Sequence, residues 1–283
     1  MNKFQPYINV AYPSGNKPIF EEWFADNYRG CNTDRELLPV FFTSYWVNHS
    51  YAQDLQAKKE LQDYIDGLDR NKKWFVPIQY DDAAVIDFKD LDVIQFNMSK
   101  SYDVPLPLLC QPHPYRFTGG KKWFASFVGS RTHPIRDSLD RLKGQEGYFI
   151  SFEYGEIEKY CRVLHDSMFS LCPRGYGLAS FRLAESVQYG AIPVYLSDEF
   201  IIPSWVNFEE FGVLIKSEDA HRIDEILQDI PIEKVVEMQS KLPEAYENFY
   251  SYEANLKHII NYLETEYNLR KQVGTDAPIN EGT

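Results

Sequence analysis

The run from Ser170 to Val194 constrains the fold of this chain more than any other stretch. It reads Ser170-Leu171-Cys172-Pro173-Arg174-Gly175-Tyr176-Gly177, then Phe181-Arg182-Leu183-Ala184-Glu185, and closes on Tyr189-Gly190-Ala191-Ile192-Pro193-Val194. A buried strand, a glycine-bearing loop, a short helix and a second buried strand in that order form a parallel strand–helix–strand unit. Pro173 ends the first strand, and Gly175 and Gly177 are expected to let the backbone turn tightly and approach a ligand. Ser180 stands near the helix start, where free N–H groups and the positive end of the dipole favour a phosphate. The helical period puts Leu183, Ala184 and Val187 on one side and Arg182, Glu185, Ser186 and Tyr189 on the other. Gly190 supplies the left-handed residue that stops the helix. The expectation is a pocket for a phosphate-bearing ligand at the carboxyl end of a parallel sheet.

The flanking sequence extends this alternation. Trp123–Val128 is a strand, His133-Pro134 opens a helix to Leu142, and Glu153–Ser167 is a further helix. Strands follow at Met168–Leu171, Ile192–Leu196 and Phe211–Ile215, with helices at Ala220–Leu227, Ile232–Gln239 and Glu244–Tyr267. Upstream, Leu38–Trp46 reads as a buried strand running into an aromatic loop. Ala52–Leu68 has helical spacing, and Trp74–Gln79 and Val93–Phe96 suit buried strands. Pro105, Pro107, Pro112 and Pro114 exclude both helix and central strand, so this segment crosses between two α/β domains. The expected boundaries are 1–115 for an acceptor-side domain and 116–245 for a ligand-binding domain. A C-terminal helix at 246–270 is expected to pack back on the first domain, followed by a flexible tail at 271–283.

Bulk properties exclude several functions. A net charge of −13 over 283 residues argues against a nucleic-acid partner. Cys31, Cys110, Cys161 and Cys172 form no C-x-x-C pair and read as free thiols in a reducing compartment. No apolar stretch reaches membrane-spanning length, and the N-terminal residues lack a signal-peptide pattern, so a cytoplasmic protein without membrane insertion is expected. Between Arg116 and Lys143, seven Lys or Arg against Asp137 and Asp140 give a local +5. That patch would focus an anionic ligand or simply form a solvated helix face. Asp90-Leu91-Asp92 reads as a solvated turn, and no metal ligands are assigned.

The stretch from about Trp123 to Ile215 resembles the exostosin family of glycosyltransferases. Phe127-Val128-Gly129-Ser130-Arg131, Phe169 to Gly175, and Phe181 to Glu185 leading into Gly190–Val194 carry the match. It continues through Ser197-Asp198 and Pro203, while Ala191 stands where the family commonly has Cys. The resemblance implies two Rossmann-like domains facing a cleft, an arrangement of the GT-B type. It also implies inverting transfer from a nucleotide sugar, here expected to be a UDP-sugar, to a hydroxyl of a saccharide or glycan acceptor. The absent anchor departs from secretory members and suggests a bacterial or viral source.

Residue roles follow from the resemblance. Arg131, Arg174 and Arg182 would neutralise the pyrophosphate, with backbone from Gly175 and Gly177 to Ser180 completing the cradle. Glu185 would accept hydrogen bonds from the donor ribose, and Tyr176 would stack on a base or fill a gap. Fixed cations in this number make a divalent metal inessential, and no tightly bound cofactor is expected. Inversion needs a general base from the N-terminal side. Asp81 and Asp82, in a loop after a buried strand, are the candidates, ahead of His49 and His113. The alternative is a non-catalytic nucleotide-sugar- or saccharide-binding protein that has kept only the donor pocket. A dinucleotide-dependent dehydrogenase is disfavoured, because no G-x-G-x-x-G follows a first strand.

Overall fold

The computed structural model describes residues 18–275, apart from Lys100, Ser101 and Tyr154. Two wholly parallel sheets divide the chain. In the first, β1 (Arg35–Leu37), β2 (Lys73–Pro77), β3 (Val93–Asn97) and β4 (Val104–Pro105) lie in sequential order. Successive side chains of β2 face opposite ways. Trp74 and Val76 pack with α2 (Phe42–Asn48) and α3 (Leu55–Asp66), the latter capped by the Asp54 carboxylate. Phe75 points to the other face, where α1 (Phe20–Asn27) lays Phe24 against it at 6.1 Å between ring centroids.

The second sheet contains β5 (Trp123–Val128), β6 (Tyr148–Ser151), β7 (Ser167–Pro173), β8 (Ile192–Ser197) and β9 (Val213–Lys216). Its spatial order is β6-β5-β7-β8-β9. The order therefore reverses between β5 and β7, and such a switch point opens a crevice outside the carboxyl ends of the two strands. The helices are α4 (Ile157–His165), α5 (Arg182–Gln188), α6 (Ile223–Gln228) and α7 (Ile232–Ala245). A π-helical turn at Tyr246–Tyr250 leads into α8 (Tyr252–Thr275), which returns to the first sheet. There Arg270 pairs with Asp34 at 2.7 Å, Glu264 accepts from the Asn32 N–H at 3.0 Å, and Tyr262 meets Phe96 at 5.5 Å between ring centroids. Two parallel α/β units with the last helix returned to the first make the GT-B layout.

Several local expectations need correction. The apolar run Leu38–Trp46 is not a strand: the strand ends at Leu37, and Phe42 opens α2. Polar Arg35 and Glu36 hid the strand, while Phe42, Tyr45 and Trp46 recur at helical spacing and are buried together. β6 is a four-residue edge strand and went unread. The segment Pro134–Leu142 winds as a 3-10 helix, with Ile135, Leu139 and Leu142 buried. The final helix runs to Thr275, five residues into the segment expected to be a flexible tail. Residues 276–283 and the N-terminal 1–17 lie outside the described residues.

Candidate functional site

Arg136 sits at the switch point and joins its two strand ends. Its Nη1 donates to the Ser130 carbonyl at 2.7 Å, just beyond β5, and its Nε to the Arg174 carbonyl at 3.0 Å, just beyond β7. Nη2 reaches the Pro173 carbonyl at 3.3 Å. The planar guanidinium fork suits this task, and it brings a positive charge to the floor of the crevice. Arg174 follows at once. Its Nη1 pairs with Asp198, beyond the adjacent β8, at 2.6 Å, and its Nη2 donates to the Tyr176 carbonyl at 3.1 Å. Arg174 Nε and Thr132 Oγ1 are buried and have no hydrogen-bond partner among the described residues. Orphaned buried donors of this kind call for a ligand or an ordered water.

Asp81 and Asp82 face this floor from the loop after β2. Together with Ser99, Arg174, Tyr176 and Gly177 they line a cleft of about 300 Å³. A Cβ on Gly177 would stand 3.0 Å from Asp81 Cβ, so at this glycine the two walls of the cleft come into contact. Burial and the neighbouring Asp82 charge push the Asp81 carboxyl up to about 6, against the pull of the Gly177 N–H and Arg136.

The glycines do a different job from the expected tight turn. Neither Gly175 nor Gly177 takes a left-handed φ; each supplies room, since a Cβ on Gly175 would lie 3.1 Å from Arg136 Nη2. Gly190 does adopt φ +69° and ends α5 as expected. α5 is buried nearly all round and has no solvent-facing polar side. Arg182, only 5% exposed, donates to the Val128 carbonyl and lies over the Phe127 and Tyr160 rings. Gly129 leaves it space, because a Cβ there would fall 2.6 Å from Arg182 Nη2. Glu185 is 2% exposed. One of its oxygens meets His113 Nε2 at 3.2 Å and the other accepts from Tyr160 Oη at 2.5 Å. In this arrangement both side chains are engaged by interior partners.

Other sequence candidates are placed as follows. Exposed Arg131 is held by Asp137 at 2.5 Å and Asp140 at 2.6 Å. Ser180 Oγ accepts from the Arg182 N–H at 3.3 Å, a local cap on the first turn. Tyr176 is 73% exposed at the cleft. His49 is turned to Asp54 at 3.4 Å, and His113 belongs to Glu185, so neither replaces the aspartates. The +5 stretch disperses: Lys122 pairs with Asp166, Arg141 with Asp224, and Lys121 donates to two backbone carbonyls. In the Asp90–Asp92 turn, Asp90 pairs with Arg70 at 3.5 Å and Asp92 with Arg35 at 2.7 Å. Cys172 is buried among Ser170 and Ser186, and burial pushes its thiol up, away from nucleophilic use.

A profile of the exostosin GT47 domain matches residues 80–230, just over half of the chain. This chain belongs to the exostosin GT47 family. It is similar to a rice (Oryza sativa) protein named as a probable glucuronosyltransferase, 38% identical over 273 residues, covering 80% of this chain and 60% of that protein. The Exostosin-1 homolog of Caenorhabditis elegans is 25% identical over 198 residues, 54% of this chain and 50% of that one. An Arabidopsis thaliana protein named as a probable β-1,4-xylosyltransferase is 35% identical over 85 residues, 29% of this chain and 21% of that one. The chain spans at most 60% of the length of these relatives. Their plant and animal sources speak against the bacterial source suggested above. Among solved structures, TarM aligns with 73% of this chain and 45% of its own at TM-score 0.42 and 12% identity. Among the described residues no helix is long and apolar enough to cross a membrane.

Within this exostosin GT47 domain, Arg136, Thr132 and Tyr160 are not singled out by sequence, and His113 stands there only as a secondary candidate base, not as the partner of Glu185. Arg136 carried a signal nonetheless. It sits beside Ile135 on the buried stripe of its short helix, and a cation there needs special partners.

Proposed function

We propose that this protein is an inverting glycosyltransferase that moves a sugar from a nucleotide sugar, a UDP-sugar in our reading, to a hydroxyl of a saccharide acceptor. The carrying observation is the cleft whose C-terminal wall holds Arg174, with the buried Arg136 bracing the Arg174 carbonyl behind it, while its N-terminal wall holds Asp81 and Asp82. The arginines, with backbone from Gly175 to Gly177, would hold the diphosphate, whose charge grows as the bond to the sugar breaks. On the opposite face of the anomeric carbon, Asp81 takes the proton of the attacking acceptor hydroxyl. A carboxyl raised to about 6 suits a base working near neutrality. The new bond to the acceptor oxygen and the lost bond to the phosphate oxygen lie on opposite sides, hence inversion. Because arginines carry the counter-charge, turnover is expected to survive EDTA.

The test is titration calorimetry with UDP, followed by UDP-release assays over donor sugars and saccharide acceptors with and without EDTA. UDP binding lost in Arg174→Ala, with release retained in the parent, agrees with the proposal. Binding of UDP without release for any pair leaves only the non-catalytic alternative. Restoration of an EDTA-treated enzyme by Mn²⁺ would overturn the metal-independent account.

A further inference from the structure

Two tyrosines near the aspartates are exposed where their neighbours are buried. Tyr176 is 73% exposed, although Cys172, Leu178 and Ala179 around it are buried. It lines the same cleft as Asp82. Tyr51 is 58% exposed, between the buried Trp46 of α2 and the start of α3. It is held through Trp46 to Ala84, in the loop that carries Asp81 and Asp82. Large aromatic surface left in water beside a polar cleft marks a binding face.

The backbone under Tyr51 is unusual. Ser50, Tyr51 and Ala52 have φ of +54°, +55° and +63°, a left-handed run that side chains with a Cβ disfavour. The other positive-φ residues besides glycine, among those described, are Ala83, Val85 and Lys89, in the loop that carries Asp81 and Asp82. Trp46 joins the two segments: its carbonyl accepts from the Tyr51 N–H at 2.8 Å, and its indole N–H donates to the Ala84 carbonyl at 2.9 Å. Strained backbone in two loops tied by one buried tryptophan is over-determined geometry, which collects at ligand sites.

We propose that Tyr51, Tyr176 and Asp82 form an acceptor subsite for the pyranose rings of a neutral saccharide. This rests on the glycosyltransferase reading above and extends it to the acceptor. A pyranose presents a face of C–H groups that packs on an aromatic ring, while its hydroxyls reach outward to carboxylate acceptors. The occupant is fixed by charge. The aspartate wall repels the donor diphosphate, which takes the arginine side, and it disfavours a uronate ring as acceptor. The rings then hold the sugar whose hydroxyl faces Asp81.

The test uses the full chain saturated with UDP and titrated calorimetrically with xylohexaose, cellohexaose and hexagalacturonate. The neutral hexasaccharides should bind and the galacturonate should not. Tyr51→Ala and Tyr176→Ala should each weaken neutral binding by about tenfold or more, Tyr176→Trp by less than about threefold, and all three should keep the UDP affinity of the parent. Saccharide affinity unchanged in both alanine variants overturns the subsite while leaving the donor reading intact. Loss of UDP affinity in Tyr176→Ala assigns that ring to the base and overturns the subsite as well. A parent that binds UDP but no neutral hexasaccharide also refutes it, whereas a parent that binds no UDP sinks the donor reading first.

Discussion

Replacing Glu185 by alanine strands two buried partners at once, His113 Nε2 and the Tyr160 hydroxyl. Each orphaned group costs about 1–3 kcal/mol, which for the two together is about 4 kcal/mol. With Glu185 and His113 each only 2% exposed, water offers little compensation. A loss of about 4 kcal/mol at roughly 2–4 °C per kcal/mol lowers the thermal midpoint by on the order of 10 °C. Glu185→Gln keeps one acceptor oxygen and should lose about half as much. Scanning fluorimetry measures the midpoint, and calorimetry well below it measures UDP affinity on the folded variant, which should stay within about threefold of the parent. The reasoning is refuted if Glu185→Ala melts within about 2 °C of the parent yet binds UDP about tenfold more weakly. Glu185 would then face the ligand and not the interior.

Three further outcomes are expected. Asp81→Asn should lower turnover by about 10²–10⁴-fold while UDP binding persists. In the parent, kcat/KM should rise with pH until Asp81 is ionised, at about 6, and this limb should vanish from the variant's residual activity. Gly177→Ala places a methyl 3.0 Å from Asp81 Cβ, so activity should fall with the secondary structure intact by circular dichroism, and Asp81→Gly, which removes that Cβ, should partly relieve the clash in the double variant's stability. Glu21 lies buried under contacts from the Thr43 N–H and hydroxyl and the Gln79 N–H, and burial raises its carboxyl from 4.5 to about 7. The folded state therefore holds this proton more tightly than the unfolded one. Its stabilising contribution is complete below about 4.5 and disappears as pH rises through about 7, a loss on the order of 3 kcal/mol. Midpoints from acid to mildly alkaline buffer should slope less in Glu21→Gln; an unchanged slope removes Glu21 as the cause.

Four of the five strands of the second sheet are legible as apolar runs bounded by glycine and proline, and the bounds of β5 agree to the residue, whereas the short edge strand β6 carries no such signal. β1 was not legible either, because Arg35 and Glu36 occupy two of its three positions and their pairing is set by β2. The cleft was legible as a place, through Pro173, Arg174 and the glycine loop. The roles within it were less so. Helical spacing gave Arg182 and Glu185 a shared polar side, but it could not show that β5, the proline-rich crossing and α4 close over that side and supply Val128, His113 and Tyr160 as partners. Arg136 is hidden for the converse reason: the Ser130, Pro173 and Arg174 groups that accept from it are backbone carbonyls, and no residue type advertises those.

The return of α8 has a consequence for the order in which the chain becomes stable. Phe75 and Phe96 share a core with Ile259 and Leu263, so one face of the first sheet is closed by the last helix. A chain growing from its N-terminus finishes β4 while α1 alone covers part of that face and the rest is open to water. At about 5–20 residues per second, the remaining stretch to α8 takes on the order of ten to thirty seconds to synthesise. During that interval the half-built sheet needs a temporary cover, and the nascent protein is a natural client for a chaperone that shields apolar strands.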